Sequence, residues 1–281
     1  MADNRMQTDF TPQENCPEIW RAHLPVPHRE DHKYRRGHSV IVGGGVSHSG
    51  AALLAAEAAL RVGSGLVTQL VPQDALFVYA AASRKAVMTR DYQYLPELLE
   101  DERTNAWLLG PGLGVNETTC HKVEQVLKWR KSAVLDADVL TAFGERTGPF
   151  FELLDESCLL TPHEGEFARL FPNLQGTKVE RAQQAAMMSG AVILLKGAHT
   201  VIAQPDGFTI TQLTEASQLA TAGTGDVLAG LCTGLIAQGM EPAMAAAAGA
   251  WIHAQAAMRF GRGLIADDLL EIIPPILQEL T

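Results

Sequence analysis

The sequence predicts an α/β layered fold with a mostly parallel central sheet and helices on both faces. Three observations lead there. Runs of four to six apolar residues recur along the chain, each stopped by Gly, Pro or an acid, and strands buried on both faces lose the polar alternation of a half-exposed strand. Helical segments separate most of these runs, which is the order of βα units. The 281 residues and 47% hydrophobic content suffice for one sizeable core, and α/β chains of this length commonly form a single domain.

The elements follow in order. Residues 1–36 are polar, proline-containing and aperiodic, and predict an arm or lead-in before a domain at 37–281. "HSVIVGG" (38–44) is a strand stopped by glycines, and a helix from about Ala51 to Val62 ends at Gly63. "GLVTQLVP", "AWLLGPG", "SAVLDAD", "SCLLTPH" and "AVILLKG" repeat the strand pattern. "HTVIAQPDGFTITQL" predicts a hairpin turning at Pro205, Asp206 and Gly207, hence one antiparallel edge. The last third predicts helices at about 225–238, 241–260 and 266–280.

The formal charge of −10 argues against general nucleic-acid or anionic-membrane binding. Cys16, Cys120, Cys158 and Cys232 are widely spaced and form no metal or disulfide pattern, which fits a reducing cytoplasm. The N-terminus has no apolar signal region, and no apolar stretch is long and continuous enough to span a bilayer.

Ligands of such sheets sit beyond the carboxyl ends of the strands. The polar motifs cluster there: Gly43 to Gly45, Gly110 to Gly114, Asp136 and Asp138, Thr161 to Glu166, and Lys196 to Thr200. In "TAGTGD" (221–226), glycines open a helix whose free N–H groups and positive dipole end form an anion site. Asp226 at that start would remain ionised and accept a proton from a bound hydroxyl. The plainer alternative is a helix start capped by Thr224 or Asp226.

Other motifs also carry two readings. Lys196 in "LLKGAHT" either faces a nucleotide phosphate or is a solvated hairpin lysine. His163 and Glu166 either cap a helix or, for Glu166, hold Mg²⁺ through water. Asp136 and Asp138 are N-caps or site residues. "GGGVSHSGAA" has P-loop glycine spacing but Ala51 and Ala52 where Lys and Ser/Thr belong, so it is a turn or a backbone-only phosphate loop. His28, Glu30 and His32 in "HREDH" lack a further ligand at recognised metal spacing, no G-x-S-x-G elbow is present, and His253 reads as a helix-packing histidine.

Together "GTGD", "LTPHEGE", "LLKGAHT", "LLGPGLG", "VLDADVL" and "GAALLAAEAALRVGSGLV" resemble the ADP/ATP-dependent NAD(P)H-hydrate dehydratase family of the ribokinase-like superfamily, from about Lys33 to beyond Ile265. The resemblance implies a ribokinase-like three-layer sandwich and a lyase that restores the S epimer of hydrated NADH or NADPH at the expense of a nucleotide. Asp226 would deprotonate the ring hydroxyl, and an anion hole of Ala222, Gly223, Thr224 and Gly225 would stabilise the transferring phosphoryl group. The hydrate would contact Ala51, Gly112, His163 and Asp226. The adenosine nucleotide would contact Lys196, Gly197, Ala198, His199, Thr200 and Gly225. ADP is the implied co-substrate, with ATP the alternative, and Mg²⁺ the implied cofactor.

Two positions depart from the family pattern. His163 stands where the superfamily's N-x-x-E magnesium motif has Asn, and Thr221 stands where the family usually has Asn. The resemblance further implies a homo-oligomer, often a tetramer, with the alanine-rich helix near 243–257 as a self-packing face. It also implies a separate polypeptide supplying the NAD(P)H-hydrate epimerase. A small-molecule kinase of the same superfamily, acting on a hydroxymethylpyrimidine or thiazole alcohol, is the competing expectation, because the same glycines and acid would serve it.

Overall fold

The computed structural model describes residues 11–26, 30, 33–213 and 216–280. Its strands are β1 (Gln13–Glu14), β2 (His38–Val42), β3 (Leu66–Val71), β4 (Val87–Asp91), β5 (Ala106–Leu109), β6 (Ser132–Leu135), β7 (Cys158–Leu160), β8 (Val192–Leu195), β9 (Thr200–Ala203) and β10 (Thr209–Gln212). They form one sheet in the order β1-β10-β9-β8-β7-β6-β5-β2-β3-β4. Only β9 runs antiparallel to its neighbours.

The helices are α1 (Pro17–Trp20), α2 (Ser49–Arg61), α3 (Leu76–Ala82), α4 (Leu95–Glu100), α5 (Glu117–Lys128), α6 (Asp138–Ala142), α7 (Thr147–Phe151), α8 (Glu164–Leu170), α9 (Lys178–Ser189), α10 (Thr224–Ala237), α11 (Pro242–Phe260) and α12 (Ala266–Leu280). Successive strand residues point to opposite faces, so the sheet separates two cores. Ile41, Leu108, Val134, Leu159 and Leu194 pack with α2, α10, α11 and α12. Val42, Leu109, Leu135, Leu160 and Leu195 pack with α4 to α9. Both faces being buried explains why these strands read as continuous apolar runs.

The deepest helix contact joins α2 to α10. A Cβ placed on Gly230 would lie 2.3 Å from the Ala55 carbonyl oxygen, and one on Gly234 would lie 2.4 Å from Val62 Cγ1. Only glycine lets the two backbones approach so closely.

Four features differ from the sequence expectations. Part of the expected lead-in is built into the sheet: β1 pairs parallel with β10, and Trp20 is fully buried. The antiparallel strand β9 is internal, because β10 and β1 lie beyond it. The alanine-rich stretch of α11, expected as a self-packing face, is largely covered within the chain, with Ala245, Ala246, Ala247 and Ala248 buried. Strand β4 has no counterpart among the apolar runs, because as an edge strand it keeps most of its residues partly exposed. His28 and His32 lie outside the described residues. No helix among the described residues is long and apolar enough to cross a membrane.

Candidate active site

The start of α10 is held open. Its N-cap, Gly223, has φ +87° and no side chain caps the helix. Thr224 Oγ1 instead donates to the carbonyls of Leu219 at 2.8 Å and Thr221 at 3.0 Å. The first-turn amides therefore remain free of side-chain partners at the positive end of a 14-residue helix, as an anion requires. Neither capping alternative is realised.

Asp226 sits in that turn, half-buried. Burial pushes its pKa up to about 6; the Asp136 carboxylate adds to the rise, Lys196 opposes it, and Asp138 contributes least. The expected fixed charge is thus a group titrating near neutrality, which is where a general base works best.

Lys196 closes the other side. It begins the turn from β8 into β9, and its Nζ lies 2.7 Å from Asp136 Oδ1. The reading as a solvated lysine fails: the side chain is mostly buried and paired. Burial works against its charge, but Asp136, Glu166 and Asp226 outweigh that effect and hold its pKa above the ordinary lysine value. A Cβ on Gly225 would lie 3.8 Å from Lys196 Nζ, so the ammonium faces the open helix start. Lys178 Nζ fastens the turn by donating to the carbonyls of Lys196 at 2.9 Å and His199 at 2.7 Å.

The acids after β6 are not caps. Ala137 between them has φ +50° and ψ −117°, a conformation costing an alanine ~1–3 kcal/mol. The strained turn sends Asp136 to Lys196 and Asp138 to the glycine loop after β5, where its Oδ2 accepts the Gly114 N–H at 2.7 Å. That loop lies against the one after β2: a Cβ on Gly44 would sit 1.6 Å from the Gly112 carbonyl oxygen. The glycines of 43–45 therefore include one required for loop packing.

His163 and Glu166 form a capping box on α8. His163 Nδ1 accepts the N–H groups of Gly165 at 2.9 Å and Glu166 at 3.2 Å, while Glu166 Oε2 accepts the His163 N–H at 2.8 Å. The His163 side chain is exposed, and its Nε2 lies 3.5 Å from Glu166 Oε1. Glu166 is buried; burial raises its pKa against the pull of Lys196, and Asp136 adds to the rise.

Among the described residues no three His, Cys, Asp or Glu side chains converge to hold a metal ion. The acids fit Mg²⁺ only in its usual form beside a nucleotide, carried mainly by phosphate oxygens and water with one carboxylate in support. Glu166, the acid expected to give that support, is buried, with Oε2 accepting the His163 N–H.

Beside Lys196 a cavity of about 600 Å³ runs between the β8–β9 turn, α10 and α11. Of the expected nucleotide residues, Lys196, Gly197, Ala198, Thr200 and Gly225 line it and His199 does not; Thr224, expected in the anion hole, lines it too. His199 is exposed, as is Ala222, while Ala51 and Gly112 are half-buried and outside the cavity wall. Leu219, Leu228, Ala250, Ala254, Gln212 and His253 also line the cavity, with Ala216, Ser217 and Ala220. Sequence reasoning missed Leu228, Ala250 and Ala254 because on a helix such residues are indistinguishable from core. His253 is buried as expected of a packing histidine, with its pKa lowered to about 4 by burial, yet it also meets the cavity.

Comparison with known proteins identifies the family. A family model described as NAD(P)H-hydrate dehydratase matches residues 39–275. The bifunctional NAD(P)H-hydrate repair enzyme of Moorella thermoacetica is 37% identical over 92% of this chain and 53% of its own length. The ADP-dependent (S)-NAD(P)H-hydrate dehydratase of Neisseria meningitidis is 34% identical over 86% of this chain and 81% of its own. The chain spans about half the length of the bifunctional curated relatives it matches. The ADP/ATP-dependent NAD(P)H-hydrate dehydratase of Bacillus subtilis, co-crystallised with ATP and Mg²⁺, superposes with a TM-score of 0.82 at 27% identity, covering 96% of this chain and 99% of the other. The fold is therefore the ribokinase-like sandwich expected from the motifs, and the chain belongs to the NAD(P)H-hydrate dehydratase family.

Proposed function

We propose that the protein is a lyase that uses an adenosine nucleotide to dehydrate the S epimer of NADH hydrate or NADPH hydrate, restoring the reduced cofactor. The observation that carries this reading is one carboxylate, Asp226, with a pKa of about 6 at a helix start that no side chain caps, next to the buried cation Lys196. A protein that only bound nucleotide would gain nothing from a titrating acid beside a phosphate.

In the proposed sequence Asp226 takes the proton of the ring hydroxyl, and the freed oxygen attacks the terminal phosphoryl group of ADP, releasing AMP. The first-turn amides of α10 and Lys196 stabilise charge on the transferring group. The ring nitrogen lone pair then expels phosphate, and loss of a proton from the adjacent ring carbon completes the double bond. The products balance as NAD(P)H, AMP and inorganic phosphate. Mg²⁺, supported by Glu166, would neutralise phosphate charge.

Ala51, Gly112 and His163 are assigned to the hydrate, and Lys196 to Thr200 with Gly225 to the nucleotide. ADP is favoured as donor by the likeness to the Neisseria enzyme, with ATP the alternative. An epimerase on a separate polypeptide would supply the S epimer. The four free cysteines support a reducing, cytoplasmic setting.

The test is to incubate the protein with hydrated NADH, Mg²⁺ and either ADP or ATP, and follow the reduced nicotinamide absorbance. Its return with one nucleotide and not without it supports the reading. A stable phosphorylated alcohol from a vitamin precursor, with no effect on hydrated NADH, would replace it by a kinase.

A further inference from the structure

We infer that Gln212 recognises the base of the nucleotide, donating a hydrogen bond from its side-chain amide to a purine ring nitrogen, with its orientation imposed by Asn15 and Trp20 of the edge segment. The inference rests on the nucleotide reading above and adds a base contact that the phosphate-side residues do not supply.

The polarity of the relay is fixed from its far end. An indole can only donate. Trp20 Nε1 donates to Asn15 Oδ1 at 3.0 Å, which settles which end of the Asn15 amide is oxygen. Asn15 Nδ2 therefore donates, to Gln212 Oε1 at 2.6 Å and to the Ala247 carbonyl at 2.8 Å. Gln212 must present its oxygen to Asn15, so its NH₂ group is the end left over. No amide in this chain can be reversed without setting two donors or two acceptors against each other.

The leftover end has nothing to bind. Gln212 Nε2 is buried and has no hydrogen-bond partner among the described residues. Trp20, Asn15 and Gln212 are all more than nine-tenths buried, which holds the relay in one arrangement. An unmet buried donor is unfavourable, and its persistence asks for a group that completes it.

The cavity supplies the place for that group. Gln212 lines it together with Leu219, Leu228, Ala250 and Ala254. A neutral donor among apolar side chains suits an uncharged aromatic heterocycle, whereas the phosphates have Lys196 and the first turn of α10. Adenine carries ring nitrogens with free lone pairs at N1, N3 and N7, each an acceptor for an amide N–H. The edge strand β1 brings Asn15 to β10, its own N–H bonding the Thr211 carbonyl at 2.8 Å, so the N-terminal segment reaches the base site through one side-chain relay.

The test is titration calorimetry of ADP and of its 1-deaza, 3-deaza and 7-deaza analogues, on wild type, Gln212→Ala and Asn15→Asp. One analogue should bind wild type about tenfold more weakly than ADP, the loss of one neutral hydrogen bond. Gln212→Ala should weaken ADP by a similar factor and should no longer distinguish that analogue from ADP. Asn15→Asp can only accept, so it draws Gln212 Nε2 toward itself, turns Oε1 to the cavity and weakens ADP. Equal binding of all three analogues and ADP to wild type overturns the inference, with no variant needed to fold. So does unchanged ADP binding in Gln212→Ala. Wild type that binds no adenosine nucleotide at all overturns the nucleotide reading itself, and base recognition with it.

Discussion

Replacing Asp136 by asparagine should shift the acid limb of the pH–rate profile downward. The Asp226 carboxyl titrates at about 6 against an ordinary 3.8, a difference of ~3 kcal/mol between its charged and neutral forms. A general base must be deprotonated, so about nine-tenths of wild type is active at pH 7 and about one-tenth at pH 5. The rate should fall about tenfold between those values. Burial is the largest cause of the raised pKa and Asp136 the next. In Asp136→Asn the repulsion disappears, and Lys196 loses its 2.7 Å partner and is freer to attract Asp226. Both changes lower the Asp226 pKa while burial remains, so the limb should settle between 3.8 and 6. If it settles near 5, the drop from pH 7 to pH 5 shrinks to about twofold. The assay is kcat/KM for hydrated NADH with ADP and Mg²⁺ from pH 4.5 to 8, against enzyme-free blanks. A limb that stays at 6, or rises, refutes the coupling of Asp136 to the base.

Three further outcomes follow from the same structure. Lys196→Met should raise the acid limb above 6, since Lys196 opposes the rise in the Asp226 pKa, and should lower stability by ~3–5 kcal/mol through the unpaired buried Asp136; urea unfolding and the pH profile check the two parts. His38 and His253 both have pKa values lowered to about 4 by burial. The unfolded chain binds their protons from pH 6.5 downward while the fold refuses them, so each removes up to ~3 kcal/mol of stability between pH 6.5 and 4; in urea unfolding, His38→Gln should flatten that acid loss. Gly230→Ala should cost ~1–3 kcal/mol, because its Cβ would meet the Ala55 carbonyl at 2.3 Å; the thermal midpoint reads it.

The legibility of this chain tracks the range of the forces involved. The strands buried on both faces, and helices such as α10 and α12, stand out because local pattern alone specifies them, and the structure places α12 at 266–280 as expected. Strand β4 and the edge strand β1 were invisible, since an edge gives neither a full apolar run nor a long one. Within the site, the glycines and Asp226 of "TAGTGD" carried their chemistry on their face. The ion pair of Lys196 with Asp136 joins positions 60 residues apart, and nothing in either neighbourhood marks the other. Asn15 and Gln212, separated by 197 residues, are less visible still. The ionised state of Asp226 at neutral pH was legible, but its raised pKa was not: a dipole argument sees the helix start, and not the burial and the acid across the crevice that lift it to about 6.

The glycine-mediated contact of α2 with α10 sets what can move during turnover. Ala51, in the first turn of α2, and Asp226, in the first turn of α10, ride on two rods locked main chain to main chain, so neither rod can slide along the other without collision. In the proposed reaction, adjustment to the substrates would fall to the connecting segments, chiefly 110–114 and 216–223. On the proposed roles, the spacing between the base Asp226 and Ala51 of the hydrate site is therefore built in at folding.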